Sequence, residues 1–209
     1  AGACGVFHPM LSEAVVRFQS QTIQEIMPAK GPVKTQIWGL STKERLEQAK
    51  RVQDYMNFQL IEVMTEYRSE TEKLLFSLPL AGSAFRKIYY DPSLGRPTSM
   101  FVPAEDFVVA YNEADLEQAE RYTHVMNRSS NQVKKLQVSG FYKDVELTTS
   151  YIEDNPITDK FNDIGGVKPS YDHEDRHQLL EMHVDLDLLG FEDPDGVALP
   201  YVITIDKSS

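Results

Sequence analysis

Apolar residues along this chain alternate between two spacings, one of three to four residues and one of two. The changes between them mark predicted helices and strands. Leu11, Ala14, Val15, Phe18, Ile23 and Ile26 share one helical face between Pro9, at a first helical position, and Pro28. Val33 to Trp38 reads as a strand stopped by Gly39. Ser41 followed by Glu44 has the form of a capping box. Behind it Leu46, Ala49, Val52, Met56, Leu60, Val63, Met64 and Tyr67 predict a helix of about 25 residues. A second box, Ser69 with Glu72, predicts a break near Arg68 and a restart that Pro79 ends.

The spacing then drops to two. Ala84 to Asp91 alternates as a half-buried strand, Asp91-Pro92 and Gly95-Arg96-Pro97 punctuate a turn, and Thr98 to Val102 returns antiparallel. Phe107 to Tyr111 adds a third run, so Leu78 to Tyr111 reads as a hairpin with an extra strand. Asn112 to Glu120 is an acidic segment that reads as a loop or one helical turn, and Tyr122 to Met126 is a strand. Ser129 with Gln132 caps a short helix closed by Gly140. Phe141 to Leu147 reads as extended chain or loop, and Asn155-Pro156 opens a weak helix through Ile164. His177 to Leu188 alternates well and Leu199 to Ile205 is its return strand, with Gly190 to Gly196 between them. The expected class is α+β, long helices on small antiparallel sheets. Residues 1–80 are mainly helical, 81–147 and 173–209 are β-rich, and 148–172 form a polar connecting loop expected to be mobile.

Composition narrows the function. A net charge of −11 over 209 residues argues against a sequence-independent grip on nucleic acid, which needs a basic stripe to neutralise phosphates. No apolar run approaches the roughly 20 residues that a membrane span requires. The single cysteine, Cys4, leaves no internal disulfide to form and has no His or Asp partner at a nucleophile's spacing. The chain starts at Ala1 without methionine and stops at Ser209 just after a strand, as expected of a piece of a longer protein assembled inside a cell.

One motif suggests chemistry. His173, Glu174 and His177 match H-E-x-x-H, and His183 stands where the extended zinc-protease pattern has its third histidine. Zinc on His173, His177 and His183, with Glu174 activating water, would make a hydrolase. The motif needs a rigid helix, yet Pro169, Ser170 and Asp172 precede it and a strand pattern follows. Leu180 occupies the position that requires glycine, and no methionine follows Met182. The motif therefore reads as a polar lead-in to a strand. Glu181, Asp185 and Asp187 read as a solvent face, with the lining of an acidic channel as the alternative, Asp193-Pro194-Asp195-Gly196, Asp91-Pro92 and Glu105-Asp106 as turns, and Met56 and Met64 as core filling. No catalytic residue, metal or cofactor is assigned.

Four longer stretches say more. LSEAVVRFQSQTIQEIMPAKGPVKTQIWG (Leu11 to Gly39), VMTEYRSETEKLLFSLPLAGSAFRKIYYDPSLGRPTSMFVPAEDFVV (Val63 to Val109), THVMNRSSNQVKKLQVSGFYKDVEL (Thr123 to Leu147) and LLEMHVDLDLLGFED (Leu179 to Asp193) resemble, in this order, the portal protein of tailed bacteriophages of the short-tailed type. The resemblance implies a wing region of a non-enzymatic subunit in a ring, typically a dodecamer, at one capsid vertex of the virion. Such a ring is built in the bacterial host cytoplasm and passes double-stranded DNA during packaging and ejection. Its implied partners are further copies, capsid protein, terminase and head-tail adaptor proteins, with no membrane. The stem helices and clip of that family are not recognisable here. The alternatives are the zinc hydrolase on the HEDRH motif and an unrelated acidic protein-interaction module.

Overall fold

In a computed structural model that describes residues 9–147 and 176–207, the chain is α+β. It forms two compact units, residues 1–104 and 105–209.

In the first unit, α1 (Met10–Ile26) packs on α3 (Tyr67–Ala81), burying Val15 and Ile23 of one and Leu75 of the other. Gln19 Nε2 donates to the Glu72 carbonyl at 2.9 Å and ties the two helices. α3 in turn packs on a two-stranded hairpin, β1 (Phe85–Asp91) and β2 (Arg96–Val102), registered from Phe85 opposite Val102 to Asp91 opposite Arg96. The Asp91 carboxylate accepts from the Ser93 and Leu94 amides, and Gly95, at φ 64°, supplies the left-handed residue of the turn.

The helices differ from expectation in instructive ways. α2 (Lys43–Phe58) is capped by Thr42, whose hydroxyl accepts from the Arg45 amide, so the expected Ser41–Glu44 box does not form. The helix continues through a π turn at Gln59–Val63 and breaks at Met64, before Arg68. Ser69 and Glu72 fall inside α3, where the Ser69 hydroxyl donates back to the Glu66 carbonyl. Pro79 does not end α3. It lies two residues before the end of the helix, and Gly82, at φ 76°, makes the stop. Val33 to Trp38 is not a strand. The Asn57 side chain accepts from the Val33 amide at 2.9 Å and donates to its carbonyl at 3.1 Å, and Gln53 accepts from the Thr35 amide. Side chains of α2 thus take the backbone bonds that a neighbouring strand would have taken.

In the second unit, β3 (Phe107–Val109), β4 (Arg121–Ser129), β5 (Arg176–Leu186) and β6 (Leu199–Asp206) form an antiparallel sheet in that order. β3 therefore pairs with β4 and is not an extra strand of the hairpin. α4 (Ser130–Val138) starts with the expected capping box of Ser129 and Gln132. Its Val133 packs with Met126 and Leu179 into the core, flanked by Tyr142 and Leu147. Pro200 sits in edge strand β6 opposite Asp185. The Lys207 amide bonds to the Gln178 carbonyl, which fixes the alternation and turns the backbone nitrogen of Pro200 away from β5, where no ladder bond is lost.

Alternation in β5 did not reveal which side is buried. His177, Leu179 and Glu181 form the buried set, while Asp185 is exposed. The reading of Glu181 as solvent-facing is corrected, because α4 and the Met126–Val133–Leu179 core lie on that side. Met64 is buried as expected, but Met56 is exposed.

Candidate functional site

Of the motif's histidines, the two that the structure describes, His177 and His183, do not come together. His173 and Glu174 lie outside the described residues. His177 and His183 lie on one face of β5, six residues apart, which at about 3.3 Å per residue separates them by roughly 20 Å. Zinc holds ring nitrogens at about 2.0–2.1 Å, so these two cannot share one ion. Among the described residues no three His, Cys, Asp or Glu side chains come together as a metal site.

Each histidine has local partners instead. His183 stacks on Tyr122, ring centroids 4.7 Å apart, and its Nε2 lies 3.3 Å from Glu181 Oε1. The buried His177 places Nε2 3.1 Å from Ser130 Oγ, and its Nδ1 is 3.9 Å from Asp206 Oδ1. Serine, histidine and aspartate in this order have the outline of a nucleophilic triad. The His177–Asp206 contact, however, is beyond hydrogen-bonding distance. The adjacent apolar pocket, about 270 Å³, is lined by Val133, Tyr142, Leu147, Leu179, Ile205 and Asp206 among others, but not by Ser130 or His177. The cluster ties the start of α4 to β5 and the end of β6. Ser130 was missed in the sequence because nothing in its spacing connects it to residues 47 and 76 positions away.

The most constructed polar arrangement is in the first unit. On the outer edge of β2, the Ser99 amide donates to Glu66 Oε1 at 3.3 Å and the Phe101 amide to Glu70 Oε2 at 2.7 Å. Pro97, the next residue on that side, has no N–H to satisfy. Arg96 closes the arrangement with both nitrogens 2.9 Å from the Glu66 oxygens. Its hydrogen bond is the main cause that holds the Glu66 carboxyl below its ordinary value, against the opposing effect of burial. On β1, Arg86 donates to Thr71 Oγ1 at 2.6 Å and lies over the Tyr67 ring at 4.8 Å. Together these contacts clamp the hairpin to α3 and occupy a strand edge otherwise open to pairing with another chain.

Large apolar side chains remain in solvent on both units. In the first, Trp38 is 86% exposed and Leu40 83%, and no residue of α2 is buried. In the second, Leu189 is 94% exposed and Phe191 69%, both in the loop between β5 and β6. Isolated exposed apolar residues are ordinary, and here they come two residues apart, Trp38 with Leu40 just before α2 and Leu189 with Phe191 in the loop. Comparison with protein-family models and with curated proteins finds no match to this chain.

Proposed function

We propose that this chain is a structural subunit of a phage portal ring, in the wing region, with a role of shape and assembly. The observation that carries the reading is the display of large apolar side chains on both units, at Trp38 and Leu40 and at Leu189 and Phe191. Left in water, such groups favour burial against a neighbour by about 25 cal/mol per Å². The ordered resemblance of Leu11–Gly39, Val63–Val109, Thr123–Leu147 and Leu179–Asp193 supports which assembly it is. The net charge of −11 suits a conduit that must not retain its cargo, since every phosphate-neutralising contact would add salt-dependent affinity for the duplex.

In this reading the copies form a ring, double-stranded DNA passes without sequence-specific binding, and capsid protein, terminase and head-tail adaptors dock on the assembled vertex. The test is electron microscopy of the protein expressed from its complete reading frame. Rings with a central opening are the expected result, and a population of monomers alone refutes the proposal.

A further inference from the structure

Charge is distributed very unevenly over this chain. Residues 28–58 hold six Lys and Arg against three Asp and Glu, a local charge of +3, which leaves −14 on the remainder. Lys43, Leu46 and Lys50 follow one another at helical spacing and so share one face of α2, close in sequence to the exposed Trp38 and Leu40. Arg45 donates to the Leu40 carbonyl at 3.1 Å and holds the segment before the helix against it. Among the described residues, neither Lys43 nor Lys50 has an ion-pair partner.

The loop between β5 and β6 has the opposite character. Residues 187–195 contain four acids, Asp187, Glu192, Asp193 and Asp195, and no base. None of the four has an ion-pair partner among the described residues, and Leu189 and Phe191 stand exposed between them. The tip is preorganised. The Phe191 amide donates to the Leu188 carbonyl at 2.9 Å and the Gly196 amide to the Asp193 carbonyl at 2.9 Å, while the Tyr201 hydroxyl donates to the Phe191 carbonyl at 3.3 Å.

We infer that the acidic β5–β6 tip of one copy docks on the basic, apolar face formed by Trp38, Leu40 and the start of α2 in a second copy. Both surfaces carry exposed apolar side chains, and their net charges are opposite, +3 over residues 28–58 and −4 over residues 187–195. On the acceptor side Trp38 is 86% and Leu40 83% exposed. An aromatic buries about 150–250 Å², so Trp38 with Leu40 would form the apolar centre of a contact in which a stable interface buries roughly 800 Å² per partner. Because donor and acceptor are different surfaces, the contact is head-to-tail and propagates around a ring or along a filament. This inference names the interface of the assembly proposed above and rests on that reading only for the ring itself.

Sedimentation of the chain over a wide concentration range, at low and high salt, tests it. The expected result is a mass that rises with concentration and falls back with salt. Lys43→Glu with Lys50→Glu should weaken association on the order of tenfold or more, and Asp187→Lys with Glu192→Lys in the same chain should restore it. Leu189→Asp with Phe191→Asp should abolish association without lowering the melting temperature, since both residues are on the surface. A chain monomeric throughout, or association unchanged by the lysine reversal, overturns the inference. So does a reversal that shifts melting at unchanged mass, which would place the contact within one chain. Rings in the microscope that ignore the charge reversals would refute this interface while leaving the portal reading standing.

Discussion

Replacing Glu66 with alanine removes the residue on which the hairpin's attachment to α3 converges. The Ser99 amide, in a residue only 1% exposed, loses its acceptor. An unsatisfied buried donor costs about 1–3 kcal/mol. Loss of the paired Arg96 adds to this, reduced by solvent because both side chains remain 22% exposed. The expected destabilisation at neutral pH is about 2–3 kcal/mol in urea unfolding, on the terms above. Glu66→Gln keeps one oxygen for the Ser99 amide but not the charge, and should cost about 1 kcal/mol. The pH dependence separates the contributions. The Glu66 carboxyl lies below its ordinary value when folded, so over that range the unfolded chain binds more protons and stability rises with pH. Its contribution is fully present above the unfolded value of about 4.3 and is lost as pH falls through the folded value. The difference between the wild-type chain and Glu66→Gln should therefore shrink as the solution is acidified below pH 4. A Glu66→Ala variant within 0.5 kcal/mol of wild type at neutral pH, or a Glu66→Gln difference that does not change with acid, would refute the clamp; measured losses this small are typical of unconstrained surface sites.

Three further substitutions probe other parts of the chain. Leu179→Ala empties a position 3% exposed beside Met126 and Val133 and should cost about 2–5 kcal/mol by chemical denaturation. Ser129→Ala removes the capping box of α4 and should cost about 1 kcal/mol, measured the same way. Gly31→Ala places a methyl carbon against the Asn57 side-chain amide at a backbone φ of 95°, so it should destabilise the chain. It should also raise hydrogen exchange at the Val33 amide, which Asn57 holds.

The sequence resolved elements whose signals are local. The Ser129–Gln132 box needs only four residues, and it forms as read. The β1–β2 hairpin and the β5–β6 pair followed from period-2 runs between turn residues, with ends shifted by one or two positions. Local signals misled where a competing partner lay elsewhere. Thr42 displaced Ser41 as cap, and the Asn57 and Gln53 side chains claimed the backbone of Val33 and Thr35 that composition assigned to a strand. Of the metal motif, spacing alone suggested three ligands. A strand spreads His177 and His183 far apart on one face, and the strand pattern had argued for that arrangement.

By itself, then, the amino-acid sequence determined the class of fold, the order of its helices and hairpins, and the acidic balance that disfavours a grip on DNA. These depend on periodicity and composition, which are properties of neighbours along the chain. Only the tertiary structure decided that β3 joins β4 and that Glu66 and Glu70 seal the edge of β2. It alone decided that β5 buries His177 and Glu181 on its covered side, and that α2 keeps its apolar residues in solvent. Those outcomes turn on which surface meets which. Alternation states that two faces differ, but the choice of the buried one belongs to whatever packs against it.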